Sequence, residues 1–175
     1  MNFQKLYTNS TGAELLKATQ TLKPAFASLL LAELQQLSFT QEFGRGTAWL
    51  GERGLNYIYS GRSHIATGYT PKVELLTKWL NKTTGESFNH VLVNQYKPGQ
   101  KLNKHKDDEP ELVGPIASLS LGSPAVFDYT ADKITLHNGE LIIGNREFFN
   151  QLAHGVSTPL ENSTRYNITW RTLSK

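Results

Sequence analysis

The stretch His105-Lys106-Asp107 is where the chain most plainly gathers groups that can do chemistry. Side chains alternate along a strand, so residues two apart share a face. On one strand, His105 and Asp107 would aim an imidazole and a carboxylate at the same point. One further histidine from elsewhere would complete a set of two His and one carboxylate. That facial triad holds non-haem Fe(II) and leaves positions open for a co-substrate and O2.

A second pattern lies near the C-terminus. Arg165-Tyr166-Asn167-Ile168-Thr169-Trp170-Arg171 alternates strictly, with Tyr166, Ile168 and Trp170 on one face and Arg165, Asn167, Thr169 and Arg171 on the other. Two readings are open. The polar face is either solvated or turned inward, and buried guanidiniums then need anions. Arginine suits bidentate carboxylate recognition. The two arginine Cα atoms lie roughly 20 Å apart on a strand. They therefore serve one small dicarboxylate only by leaning together; otherwise one of them serves Asp107 or a group behind the site. Asn94 and Tyr96 pair polar ends on one face of another segment in the same way.

These groups must be positioned by a chain of 175 residues, which suits one compact domain. The absence of cysteine excludes a disulfide framework, a thiolate zinc site and a cysteine nucleophile. A net charge of +3 permits a polyanionic partner without demanding one. No apolar run reaches the roughly 18 residues of a membrane helix. No signal peptide is evident, and GxGxxG, P-loop and GxSxG motifs are missing. The expectation is an intracellular protein, cytoplasmic or nuclear, monomeric and without a membrane partner.

The periodicities predict a short helix near 13–19 and a helix over 24–36 opened by Pro24. Turns and short strands follow over 39–54, then a strand at 57–61 ending in a turn. A second helix starts at Pro71, carries Val73, Leu76, Trp79 and Leu80 at helical spacing, and stops at Gly85. Eight short strands are expected at 90–96, 101–107, 115–121, 125–129, 133–137, 140–143, 152–157 and 165–173. The fold class is therefore mainly β (α+β), with a jelly-roll or related double-sheet core. The expected division is 1–88 for the N-terminal part and 89–175 for the core, within one domain. Of the other histidines, His64 is read as a loop residue following the 57–61 strand, and His90 and His137 as surface or structural groups at strand ends.

Taken together, the H-x-D stretch, Leu152-Ala153-His154-Gly155 and the Arg165–Arg171 strand resemble the AlkB family of Fe(II)/2-oxoglutarate dioxygenases. The likeness extends to Asn94-Gln95-Tyr96-Lys97-Pro98-Gly99, to 107–112 and to 115–122, and covers roughly 45–173. It implies a double-stranded β-helix core preceded by N-terminal helices and a nucleotide-recognition lid. Iron would be held by His105, Asp107 and His154, and 2-oxoglutarate by Asn94, Tyr96, Arg165, Asn167, Thr169 and Arg171, with O2 as the second co-substrate. The implied reaction is oxidative demethylation of N-alkylated bases, such as 1-methyladenine and 3-methylcytosine, in single- or double-stranded DNA or RNA.

The lid likeness lies in Arg45, Trp49 and 54–61, with Ser60 at its turn. Tyr59 falls where an aromatic ring covers a flipped base, with His105 on its other side. Arg45 falls where duplex-acting members probe the helix, and Tyr57 where a phosphate contact is expected. Asp108 and Glu109 fall where carboxylates meet the amino group of a cationic base. Two departures bear on substrate choice: the insert between Tyr129 and Lys133 is short, and Lys133 stands where some members direct an arginine at the substrate. A 2-oxoglutarate-dependent hydroxylase of a protein or small molecule is the alternative, and the lid is the part that would differ.

Overall fold

A computed structural model describes residues 2–174. In chain order the elements are β1 (Gln4–Thr8), β2 (Glu14–Ala18), α1 (Pro24–Leu34), β3 (Thr40–Glu42), β4 (Arg45–Gly51), β5 (Asn56–Tyr59), β6 (Arg62–Ile65) and α2 (Pro71–Thr84). There follow β7 (His90–Tyr96), β8 (Leu102–His105), β9 (Ile116–Gly122), β10 (Ala125–Tyr129), β11 (Asp132–Leu136), β12 (Leu141–Gly144), α3 (Arg146–Gln151), β13 (His154–Val156) and β14 (Arg165–Arg171). Among the described residues the strands form a major sheet, β1-β2-β12-β9-β14-β7-β4-β3, a minor sheet, β11-β10-β13-β8, and the separate hairpin β5-β6. The fold is mainly β with an antiparallel jelly-roll core, as the strand spacing implied. No helix among the described residues is long and apolar enough to cross a membrane.

The outer face of the major sheet is covered by α1 and α2. Pro24 and Pro71 open these helices, where a missing N–H costs nothing. Gly85 closes α2 in the left-handed conformation (φ 77°), its N–H bonded to Asn81 O. Leu30, Leu34, Val73, Leu76 and Leu80 pack against Val91, Val93, Leu119, Tyr166, Ile168 and Trp170. The buried Trp170 indole donates to Thr77 Oγ1 at 2.8 Å. This packing decides the question left open for β14. Its aromatic face is claimed by the helices, so its polar face turns into the barrel.

Several expectations are corrected. Residues 13–19 are not a helix but the strand β2, which pairs with β1 and β12 and buries Leu15. A helix of seven residues, about two turns, is too short to be stable by itself. Pairing on two sides offers more, and a turn in which the Asn9 side chain accepts from Thr11 and Ala13 N–H leads into it. The 57–61 strand has a returning partner, β6, across Ser60 and Gly61, whose φ values of 50° and 73° fit a two-residue hairpin turn. α3 was not foreseen, although its cap is local: the Asn145 side chain accepts from Phe148 N–H. Residues 1–88 supply β1 to β4 of the major sheet, and β4 pairs with β7.

Candidate metal centre and co-substrate pocket

The site occupies the gap between the two sheets. On the major sheet, β14 lies between β7 and β9, opposing Arg165 to Tyr96 and Gly122, Asn167 to Asn94 and Ser120, and Thr169 to Leu92 and Ser118. Opposed residues share a face, so the register builds polar rows along the pocket floor. On the minor sheet, β13 lies between β8 and β10, with His154 opposite His105 and Tyr129.

β8 ends at His105, two residues short of the expected strand, because the next segment bonds to α3 instead: Asp107 N–H donates to Phe149 O at 3.0 Å. The convergence survives this break. One ligand atom from each of His105, Asp107 and His154 lies within 4.8 Å of the others. His154 Nε2 is 3.4 Å from Asp107 Oδ2, and His105 Nε2 is 3.8 Å from Asp107 Oδ1. Each Nδ1 sits 3.1 Å from a backbone carbonyl two residues upstream, Asn103 O and Leu152 O. That places the proton on Nδ1 and leaves both Nε2 lone pairs facing the carboxylate. Lone pairs converging on one point suit a divalent cation.

The electrostatics agree. Burial alone would raise the Asp107 carboxyl, but Arg171, His154 and His105 outweigh it and hold it well below the usual carboxylate range. Burial pushes the His105 imidazole down, with Asp107 partly opposing. The metal therefore meets a carboxylate and a neutral imidazole at neutral pH and need not displace their protons.

The co-substrate side is equally specific. Arg165 is fully buried; Nη2 donates to Ser120 Oγ at 2.9 Å, while Nε and Nη1 have no partner. Its guanidinium lies 5.3 Å from the Tyr96 ring centroid. A buried fork with two free donors fits a carboxylate. Arg171 Nη2 stands 3.5 Å from Asp107 Oδ1, and its Nε and Nη1 are also unpartnered. The arginines thus divide the work: Arg171 stands at the metal end and Arg165 at the far end. Asn94 donates to Asn167 Oδ1 at 3.3 Å, Asn167 donates to Ser118 Oγ at 2.7 Å, and Thr169 donates to Asn167 Oδ1 at 2.8 Å. Ser118 and Ser120 were missed, although their alternation with Leu119 was the signal.

The substrate-side expectations fare unevenly. Tyr59 lines the pocket with His105 and packs edge-on to Phe43 at 5.2 Å. Ser60 and Asp108 are exposed, and Glu109 is half-buried with its carboxyl pushed up by burial and by Asp107. Arg45 is only 2 % exposed, and its Nε donates to Asn94 Oδ1, so it cannot probe a helix outside the barrel. Tyr57 is fully buried, its ring 5.8 Å from the Arg171 guanidinium, and is out of reach of a phosphate. Trp49 is tied down, donating to Glu42 Oε1 at 3.1 Å and stacked on His64 at 4.0 Å. Lys133 points away from the pocket, because it opposes Asp128, itself opposite Gly155, on the outer face of the minor sheet and pairs there with Asp128 at 3.4 Å.

His64 is a buried residue of β6, not a loop residue. His137 is exposed. His90 is fully buried against Trp49 and Tyr57, and neither ring nitrogen has a partner. Burial, then Arg171, push its pKa down to about 3. His90→Phe should therefore raise stability at neutral pH, since an unsatisfied buried polar group costs about 1–3 kcal/mol. The unfolded imidazole binds its proton first, so wild type loses stability as pH falls from about 6.5 towards the folded value of about 3. The slope is up to about 1.4 kcal/mol per pH unit, and His90→Phe should lose that part of it. Denaturant unfolding at several pH values checks both; an unchanged slope would mean that His90 carries a proton in the fold.

The sequence model of the 2OG-Fe(II) oxygenase superfamily matches residues 2–171. The chain belongs to that superfamily. Its members need Fe(II), 2-oxoglutarate and O2, and the triad and free guanidinium donors described above fit the first two. The likeness to the AlkB family also holds. The chain is 38 % identical over 96 residues to bovine DNA oxidative demethylase ALKBH2, covering 53 % of this chain and 34 % of that protein. It is 37 % identical over 100 residues to the Escherichia coli alpha-ketoglutarate-dependent dioxygenase AlkB, covering 48 % and 45 %. The chain thus spans less than half the length of these relatives. Among solved structures, the viral collagen prolyl hydroxylase of Paramecium bursaria Chlorella virus-1 superposes with a TM-score of 0.61 at 15 % identity, covering 91 % of this chain and 96 % of that one. That likeness concerns the fold alone.

Proposed function

We propose that this oxygenase oxidatively demethylates N-alkylated nucleobases of the 1-methyladenine and 3-methylcytosine type in DNA or RNA. The observation that carries the reading is the placement of Tyr59, on a hairpin outside both sheets, in the wall of the pocket that holds His105, Asp107 and His154. The AlkB-type relatives support it. Methylated nucleic acid is then the partner, and the protein acts as an intracellular monomer, cytoplasmic or nuclear.

In this mechanism His105, Asp107 and His154 would hold iron, which with 2-oxoglutarate and O2 would supply the oxidising chemistry that ends in succinate, CO2 and formaldehyde. The protein's own residues bind, orient and exclude water. Arg165, with Tyr96 beside it, takes the far carboxylate of the ketoacid, and Asn94, Asn167 and Thr169 shape the wall between. Arg171 keeps Asp107 ionised. Tyr59 stacks on the base, and Asp108 and Glu109 face its cationic edge. The base must be extruded or already single-stranded, and a methylated base that pairs badly is extruded at lower cost. Methylated single- and double-stranded DNA and RNA oligonucleotides, read by mass spectrometry beside peptide pools, test the proposal. Turnover of peptides alone would overturn it.

Tyr59→Ala should impair oligonucleotide turnover while sparing uncoupled decarboxylation of 2-oxoglutarate. Stacking on a base is worth roughly 1–3 kcal/mol, so up to about a hundredfold in kcat/KM is at stake. Equal losses in both assays with a lowered Tm would make Tyr59 a packing residue.

A further inference from the structure

We infer that Arg45 is a positioning residue that couples the co-substrate wall to the lid. Lid order and ketoacid binding then depend on each other through one guanidinium. The inference rests on the reading of the pocket given above.

Arg45 opens β4 and turns into the barrel. Its Nε donates to Asn94 Oδ1, and its Nη1 donates to Phe43 O at 3.3 Å. On the first side the line continues from Asn94 to Asn167 and on to Ser118. By occupying the amide oxygen, Arg45 fixes the Asn94 rotamer and aims its NH2 at Asn167. On the second side is the turn between β3 and β4. Phe43 sits there at φ 50°, a conformation a bulky side chain adopts only when its surroundings enforce it. The Phe43 ring lies 5.9 Å from the Arg45 guanidinium and meets Tyr59 edge-on. The Arg62 guanidinium, from the lid strand β6, lies 5.7 Å from the same ring. One buried side chain therefore joins the wall expected to bind the ketoacid to the ring expected to cover the base. A shift of Asn94 or of the Phe43 turn therefore strains a bond to Arg45. Coupling between two ligands is reciprocal: what the ketoacid does for lid order, a bound base does for the ketoacid.

The test uses full-length protein loaded with Mn(II) in place of iron, so that no turnover occurs. Two variants are compared with wild type. Arg45→Met keeps the apolar stem and loses every donor, and Arg45→Lys keeps the charge and loses the Nε–H. The first readout needs no nucleic acid: hydrogen exchange of the lid amides over 56–65 with and without saturating 2-oxoglutarate. In wild type the ketoacid should slow this exchange, by an amount within the roughly 5–150-fold usual for coupled sites. Both variants should lose the effect while keeping a cooperative melt. The second readout is the Kd for a 1-methyladenine oligonucleotide, which should fall by a similar factor on adding 2-oxoglutarate in wild type only. Equal ketoacid protection of the lid in wild type and Arg45→Lys would overturn the inference, as would its absence in wild type. Ketoacid-dependent lid protection with no oligonucleotide binding would instead uphold the coupling and remove the nucleobase reading.

Discussion

Asp107→Ala is expected to abolish turnover and strongly weaken iron binding while the sheets remain assembled. The carboxylate is the one anion of the triad, and Arg171 stands 3.5 Å from it. Without it, the two imidazoles face a guanidinium whose charge is no longer balanced, and that field opposes a divalent cation. Cutting one partner from a buried ion pair costs about 3–5 kcal/mol, so a lowered Tm with unchanged secondary structure should accompany the loss. Titration calorimetry with Mn(II), formaldehyde release and circular dichroism check the three parts. The pH dependence has a fixed sign. The Asp107 carboxyl is held below its unfolded value, so its contribution to stability is complete above that value and fades as pH falls towards the folded one. Near-wild-type activity of Asp107→Ala at saturating iron would remove the residue from the triad.

Arg165→Ala should raise the KM for 2-oxoglutarate far more than it changes nucleic-acid affinity. Losing a buried, charge-assisted contact costs on the order of 2–5 kcal/mol, which is roughly thirtyfold or more in the KM. Lysine should not restore it, because the fork and not the charge alone matches a carboxylate. The unliganded variant should lose little stability, since the substitution also removes two buried donors that have no protein partner. An unchanged KM for the ketoacid would make Arg165 a structural residue.

The centre was more legible in the sequence than its surroundings. H-x-D and the alternation of 165–171 are local patterns; the second names the face its strand presents, while the first brings its groups together although the strand ends at His105. What the sequence could not carry was long-range. β2 is a strand because β1 and β12 flank it, and five residues carry no record of those partners. Arg45 was expected at the nucleic-acid face on the resemblance, yet its guanidinium is buried and bonded to Asn94. Tyr57 similarly turns to the buried side of the lid, beside Arg171. Lys133 was decidable in principle. Phe127 and Tyr129 are the apolar, inward residues of β10, so Asp128 between them and its partner Lys133 face outward.

The placement of the reacting groups on opposite sheets has a mechanical consequence. The histidines ride on the minor sheet and the arginines on the major one, and the Asp107–Arg171 contact spans the seam between them. A metal held from one layer and a ketoacid held from the other would together act as a rivet through the sandwich. Loading the site should therefore tighten the clamp between the sheets, and release of succinate should slacken it. The seam along which the barrel is stitched would then flex with each round of loading and release.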